Sequence, residues 1–161
     1  MNLLRPKFND ETIRGRQTAK NIAIQLKRAV KESKEAASYL GSSFKAKNNY
    51  LTCYNVWAYC KKNLKYNRES ADMQTAKTIQ RILADKKNND CKHYTTFCCS
   101  ILNSLGIKTQ MRLISQNFYN SDPTHIYCVA NINGKEIIVD PCMRTFNSEA
   151  AYKYKYNLKL N

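Results

Sequence analysis

The hydrophobic pattern of this 161-residue chain changes period once, at Gly106, and that change restricts the fold more than any other feature. Before it, apolar residues recur three and four apart, as along one face of a helix. Cys91, Tyr94, Cys98, Ile101, Leu102 and Leu105 make the most regular stripe, widened by Phe97, and Gly106 stands where a glycine ends a helix. Such a wide stripe predicts a helix buried through the middle of the domain. After Gly106, Ile107, Thr109, Met111 and Leu113 alternate with polar residues, the period of a half-buried strand. His125–Ile132 and Lys135–Asp140 flank Asn133-Gly134, a dipeptide favoured in two-residue hairpin turns. From Tyr152 to Leu160 the alternation resumes, with lysines on what reads as the open face of an edge strand. Helices first and antiparallel strands second make the class α+β.

Three further helices are expected upstream. Residues 10–40 read as one long amphipathic helix, with Ile22, Leu26, Ala29, Val30, Ala37 and Leu40 on its apolar face and Gly41 as its carboxyl-terminal cap. Residues 50–63 read as a second, carrying Tyr50, Tyr54, Trp57 and Ala58 in a stripe, and residues 74–84 as a short third. The chain is short enough for one compact domain, divided as a basic amphipathic segment at 1–47 and a core at 48–161.

The net charge is +15, from 27 basic and 12 acidic side chains. It points to an anionic partner: an acidic protein or peptide surface, an anionic membrane surface, or nucleic acid reached through the basic first helix. The excess leans only modestly to the first third, where residues 1–50 hold 11 basic and 4 acidic groups. No apolar run is long enough to span a membrane, and Met1–Lys7 lacks the apolar stretch of a signal peptide. A cytoplasmic domain is therefore expected. Seven cysteines without a Cys-x-x-Cys pair favour small buried thiols over a disulfide framework or a zinc site.

Three residues gain meaning once the elements are placed. Cys91 opens the buried helix, where the macrodipole and unpaired N–H groups favour the nucleophilic thiolate and can hold an oxyanion. Asp90 opposes this unless it serves as the helix N-cap. With Asn133-Gly134 as the turn, Ile132 faces Lys135, which sets His125 opposite Cys142 and makes Asp140 its diagonal neighbour on the same face. A slip of one residue would put His125 and Asp140 on opposite faces. His93, about 200° round the helix from Cys91, is expected at the surface.

From about Tyr50 to Cys142 the chain resembles the transglutaminase-like superfamily of papain-fold cysteine enzymes. The resemblance rests on Val56-Trp57-Ala58-Tyr59 with Leu64-Lys65-Tyr66, on Asn89-Asp90-Cys91-Lys92-His93-Tyr94, and on Ile101 to Ile107. It continues through His125-Ile126-Tyr127 and Ile138-Val139-Asp140-Pro141. It implies a central helix packed on a small antiparallel sheet, with Cys91 as nucleophile, His125 as proton shuttle and Asp140 as its orienting carboxylate. The implied substrate is a protein or peptide amide, attacked through a thioester, with no metal or organic cofactor. Two positions depart from the family pattern: Asn89 where glycine is common, and Thr95 where alanine is. The small size and the lysine- and asparagine-rich composition look most like phage- or prophage-encoded members. That leaves two other readings, an idle copy of the fold acting as a virion or interaction protein, and a basic nucleic-acid-binding module.

Overall fold

The computed structural model describes residues 10–14 and 18–160. Its first element is a strand, β1 (Asp10–Arg14), which corrects the start of the expected long helix. Helix α1 (Ala19–Glu32) follows, capped by the Thr18 hydroxyl on the Asn21 N–H, and buries Ala23, Leu26 and Ala29. The helix breaks at Ser33, and α2 (Lys34–Gly41) follows it. The break has a tertiary cause. Ser33 is buried, its hydroxyl donates back to the Ala29 carbonyl, and the same oxygen accepts the Ile79 N–H. A side chain committed to another element and to the preceding turn bends a helix.

Gly41 is not the expected cap. Its backbone is right-handed helical, with φ −56°, and a short 3-10 turn over Ser42–Phe44 follows it. A Cβ built there would lie 2.6 Å from Ser104 Oγ, so the glycine permits close approach of two helices.

Helix α3 (Asn49–Asn63) begins at an Asn48 cap and buries Thr52, Cys53, Val56, Trp57 and Cys60. Its inner face is thus turned from the expected one, for Tyr50 and Tyr54 are each 44% exposed. They pack edge-on against Phe146 instead. The expected helix over 74–84 divides into strand β2 (Met73–Lys77) and helix α4 (Ile79–Asp85). β2 pairs antiparallel with β1 in a two-stranded ribbon.

Helix α5 (Cys91–Ser104) is buried continuously from Lys92 to Leu102 and contacts α1, α2, α3 and α4 on one side and the sheet on the other. Gly106, at φ +78°, turns the chain into β3 (Thr109–Ser115). β4 (His125–Ile132) and β5 (Lys135–Val139) are joined through Asn133 and Gly134, both at positive φ. Ile132 faces Lys135 and Cys128 faces Val139, the register read from the turn. β6 (Tyr154–Lys159) pairs with β3, which gives an antiparallel sheet of order β5-β4-β3-β6 with β6 at the edge. The fold is α+β, with a buried central helix on a small antiparallel sheet. All seven cysteines are free, and five of them are buried. Among the described residues no helix is long and apolar enough to cross a membrane.

Candidate active site

The amino end of α5 is held by side chains of its own first turn. Asp90 is the N-cap and accepts the Lys92 N–H at 3.1 Å, while its own N–H donates to His93 Nδ1 at 3.1 Å. His93 thus fills the place that glutamate or glutamine takes in a capping box. It is fully buried, which corrects the surface position expected for it. With Nδ1 accepting, the proton sits on Nε2, which donates to the Thr75 carbonyl at 3.0 Å. Burial, together with Lys92 and Lys77, holds His93 neutral and down at about 4 against the pull of Asp90 and Glu69. Lys92 is buried between Asp90 and Glu69, and Glu69 in turn accepts the Thr75 N–H and hydroxyl. Burial alone would raise the Asp90 carboxyl, but the Lys92 ammonium and the Lys92 N–H outweigh it and keep Asp90 below its usual range. The acid that opposed a thiolate at Cys91 is therefore consumed as a cap and paired.

The strand-like segment before the helix is pinned as well. Asn67 N–H donates to the Asn89 carbonyl at 2.7 Å and Asn89 N–H to the Lys65 carbonyl at 3.3 Å. This bridge sets Tyr66 beside Cys91. Burial and the neighbouring Cys91, Cys142 and Asp90 push the Tyr66 phenol up to about 12, so it keeps its proton. Behind Cys91, the Thr95 hydroxyl reaches the Cys91 carbonyl at 2.7 Å and the Ile126 carbonyl of β4 at 3.1 Å. The departure from alanine at this position is thus a polar tie between helix and sheet.

His125 starts β4 and Asp140 follows β5, so the hairpin register brings them together. His125 Nε2 lies 2.7 Å from Asp140 Oδ2, and Cys91 lines the same cleft as His125. Burial pulls the imidazolium down, but the bond to Asp140, with the influence of Asp140 and Cys91 beside it, prevails, and His125 stands at about 10 against an ordinary 6.5. Asp140 is itself fixed: Oδ1 accepts the Cys142 N–H at 2.9 Å, and its carbonyl accepts the Trp57 indole N–H at 2.9 Å. Trp57 and Tyr66 both bear on the site, Trp57 from the core and Tyr66 from the rim.

Cys91 and His125 open into a cleft of about 620 Å³ lined by Thr18 at the cap of α1 and Ile22 within it, by Tyr66 and Arg68, and by the loop that leads into β4. The contribution of α1 was not read from sequence. His125, Asp140 and Cys142 also place one donor atom each within 4.8 Å of one another, a set able to ligate a metal ion. Both Asp140 oxygens already hold hydrogen bonds there, and the sulfur of Cys142 is turned against Asp140, where burial and that carboxylate push its thiol up. A metal would need this thiol ionised and the His125–Asp140 bond broken.

A family model described as a transglutaminase-like domain matches residues 18–158, and so takes in α1 and α2, which the sequence resemblance left out. Among curated proteins none matches the sequence. Two solved structures share the fold. A putative protease from Parabacteroides distasonis aligns over 76% of this chain and 26% of its own, at 18% identity and a TM-score of 0.56. A putative cysteine protease from Cytophaga hutchinsonii aligns over 80% of this chain and 39% of its own, at 15% identity and a TM-score of 0.50. The chain therefore spans well under half the length of either.

Proposed function

The chain belongs to the transglutaminase-like domain family, and from that premise we propose that it is a cysteine hydrolase or acyltransferase acting on a protein or peptide amide. One observation carries the reading: His125 Nε2 bonds the Asp140 carboxylate at 2.7 Å, and His125 lines one cleft with Cys91 at the open end of a buried helix. In the reaction, Cys91 Sγ attacks the amide carbonyl carbon while His125 holds the thiol proton. The carbonyl oxygen takes up negative charge beside the N–H groups of the first turn of α5 and the protonated Tyr66 phenol. His125 then passes its proton to the departing amine as the C–N bond breaks, leaving an acyl thioester on Cys91. Water or a second amine, deprotonated by His125, attacks the thioester and restores the thiol. Asp140 keeps the imidazole oriented throughout. No metal or organic cofactor enters these steps.

The test is alkylation with substoichiometric iodoacetamide near pH 6, mapped by peptide mass spectrometry, in the wild type and in His125→Ala. An ordinary thiol is under about 1% thiolate at that pH. The expected result is selective labelling of Cys91 over the other six cysteines, reduced at least tenfold in His125→Ala. Indiscriminate or negligible labelling would instead favour an idle copy of the fold. Amide-cleavage or amine-transfer assays should then show loss of turnover in Cys91→Ala.

A further inference from the structure

The proposed chemistry uses only the amino end of α5. At its carboxyl end, about 20 Å along the helix from Cys91, lies a separate groove of about 720 Å³. Its floor is apolar, made by Val30, Ile107 and Leu160, with Ile24 at the margin and 58% exposed. Its walls are cationic: Lys27, Arg28, Lys31 and Lys34 on one side, Lys108 from the turn before β3 on the other. Lys27 donates to the Lys159 carbonyl at 3.1 Å, and Arg28 pairs with Glu32 at 3.0 Å. Lys31, Lys34 and Lys108 meet no carboxylate among the described residues. The groove also takes in Ser100, which is 3% exposed and whose hydroxyl has no hydrogen-bond partner. Buried hydroxyls are ordinarily paired.

We propose that this groove binds an acidic amphipathic peptide segment, its apolar side chains on the floor and its carboxylates against Lys31, Lys34 and Lys108. The charge is complementary, and the apolar floor asks for anchoring side chains, which a phosphate backbone lacks. Among the described residues no aromatic ring lines the groove, so single-stranded bases would find none of these to stack on. A concave site of this size accepts a few side chains but not the plane of a bilayer. Helix α1 forms a wall of both sites, for Thr18, Ala19 and Ile22 line the cleft at Cys91 and Ile24 to Lys31 line the groove. An extended peptide covers the distance with about six residues. The groove is thus a second contact for a substrate whose amide sits at Cys91. That last step rests on the proposed amide chemistry, whereas the binding does not.

The experiment uses the full chain carrying Cys91→Ala and a fluorescein-labelled 16-residue peptide with leucines three and four apart and glutamates between. Binding is followed by anisotropy in 50 and 300 mM NaCl. The comparison probes are the same peptide with every glutamate replaced by glutamine, a 16-nucleotide single strand, and vesicles rich in anionic phospholipid. Expected are binding of the acidic peptide, at least tenfold weaker affinity after Lys31→Glu, Lys34→Glu and Lys108→Glu together, and weakening by salt. A control with equal charge change elsewhere, Lys45→Glu, Lys47→Glu and Lys135→Glu, should keep most of the affinity. Should the triple variant lose its far-ultraviolet dichroism, Lys31→Gln with Lys108→Gln is read in its place. Equal loss in both triple variants, no loss in the groove variant, or tighter binding of the oligonucleotide or the vesicles would overturn the proposal. Cys91 alkylation, measured with Cys91 intact, separates the two readings. An inert Cys91 alongside specific peptide binding refutes the amide chemistry and leaves the groove standing.

Discussion

His93 and His125 show how two residues of one type are driven in opposite directions by their partners. His125 is raised to about 10 because Asp140 and Cys91 outweigh its burial. Its contribution to stability is complete below the unfolded value near 6.5 and is lost as pH rises through 10. The urea-unfolding difference between wild type and His125→Gln should therefore shrink from pH 6 to pH 10, by at most about 1.4 kcal/mol per pH unit. A difference constant over that range would contradict the His125–Asp140 pair as described. His93 is held down at about 4, so its contribution is present above 6.5 and lost as pH falls through 4. His93→Ala leaves the Asp90 N–H unpaired and should cost about 1–3 kcal/mol at pH 7. His93→Gln, which can refill the capping box, should recover part of that loss and move the acid-unfolding midpoint downwards. An unchanged acid midpoint would show that another group drives acid unfolding. The pairing of His125 with Asp140 was legible because hairpin register is a counting argument. The burial of His93 was missed because helical angle alone ignores the Asp90-x-x-His93 spacing, which reads as a cap once histidine is admitted at the third position.

Elements were legible where one pattern ran undisturbed and illegible where a distant partner decided. α5 and the β4–β5 hairpin each carry their own period and their own stop, and both stand as read. β2 was hidden because Ala76 and Ile79 continue a helical spacing backwards, while the strand that captures Met73–Lys77 lies some 60 residues earlier in the chain. The break at Ser33 likewise depends on the Ile79 N–H. Gly41 was read as a cap from its position alone, yet its use is the approach of Ser104, whose hydroxyl donates to the Ala37 carbonyl at 3.0 Å. Gly41→Ala should therefore destabilise by about 1–3 kcal/mol as an overpacked contact, although alanine is the better helix former. A gain in stability on thermal unfolding would return Gly41 to a purely local role. In the sheet, Arg112 of β3 is buried and bonds Glu136 of β5, Glu149 and Asn157 of β6. No periodicity announces such a residue, since an arginine on an alternating strand reads as its wet side. Arg112→Leu should cost about 1–3 kcal/mol by removing the charged hydrogen bonds that tie Glu136, Glu149 and Asn157 to β3. Replacing Glu136 and Glu149 by glutamine in the same chain should recover part of it. Full stability of Arg112→Leu would mean that packing alone holds the strands together.

For the molecule as a whole, charge and architecture act on each other. The fold gathers an ordered polar network at one end of α5, where buried Asp90 and Lys92 and half-buried Glu69 compensate one another. At the other end it leaves lysines facing one another across the groove without carboxylates between them. A chain at +15 also repels itself, and the compact state suffers more than the expanded one because it holds the charges closer. Screening acts on exposed charges within about a Debye length, roughly 30 Å at 0.01 M and 10 Å at 0.1 M, and much less on buried pairs. Salt should therefore relieve the repulsion while sparing the network under Cys91. The melting temperature should rise by a few degrees between 10 and 300 mM NaCl at pH 7, and the rise should be smaller in Lys31→Gln, Lys34→Gln and Lys108→Gln together. That variant should also melt higher than wild type at low salt. If the melting temperature falls with salt, attractive surface pairs outweigh the excess of cations, and the groove lysines are then held by neighbours rather than left to repel. A rise of equal size in both proteins would spread the repulsion over the whole surface, as the near-even run of charge along the sequence first suggested.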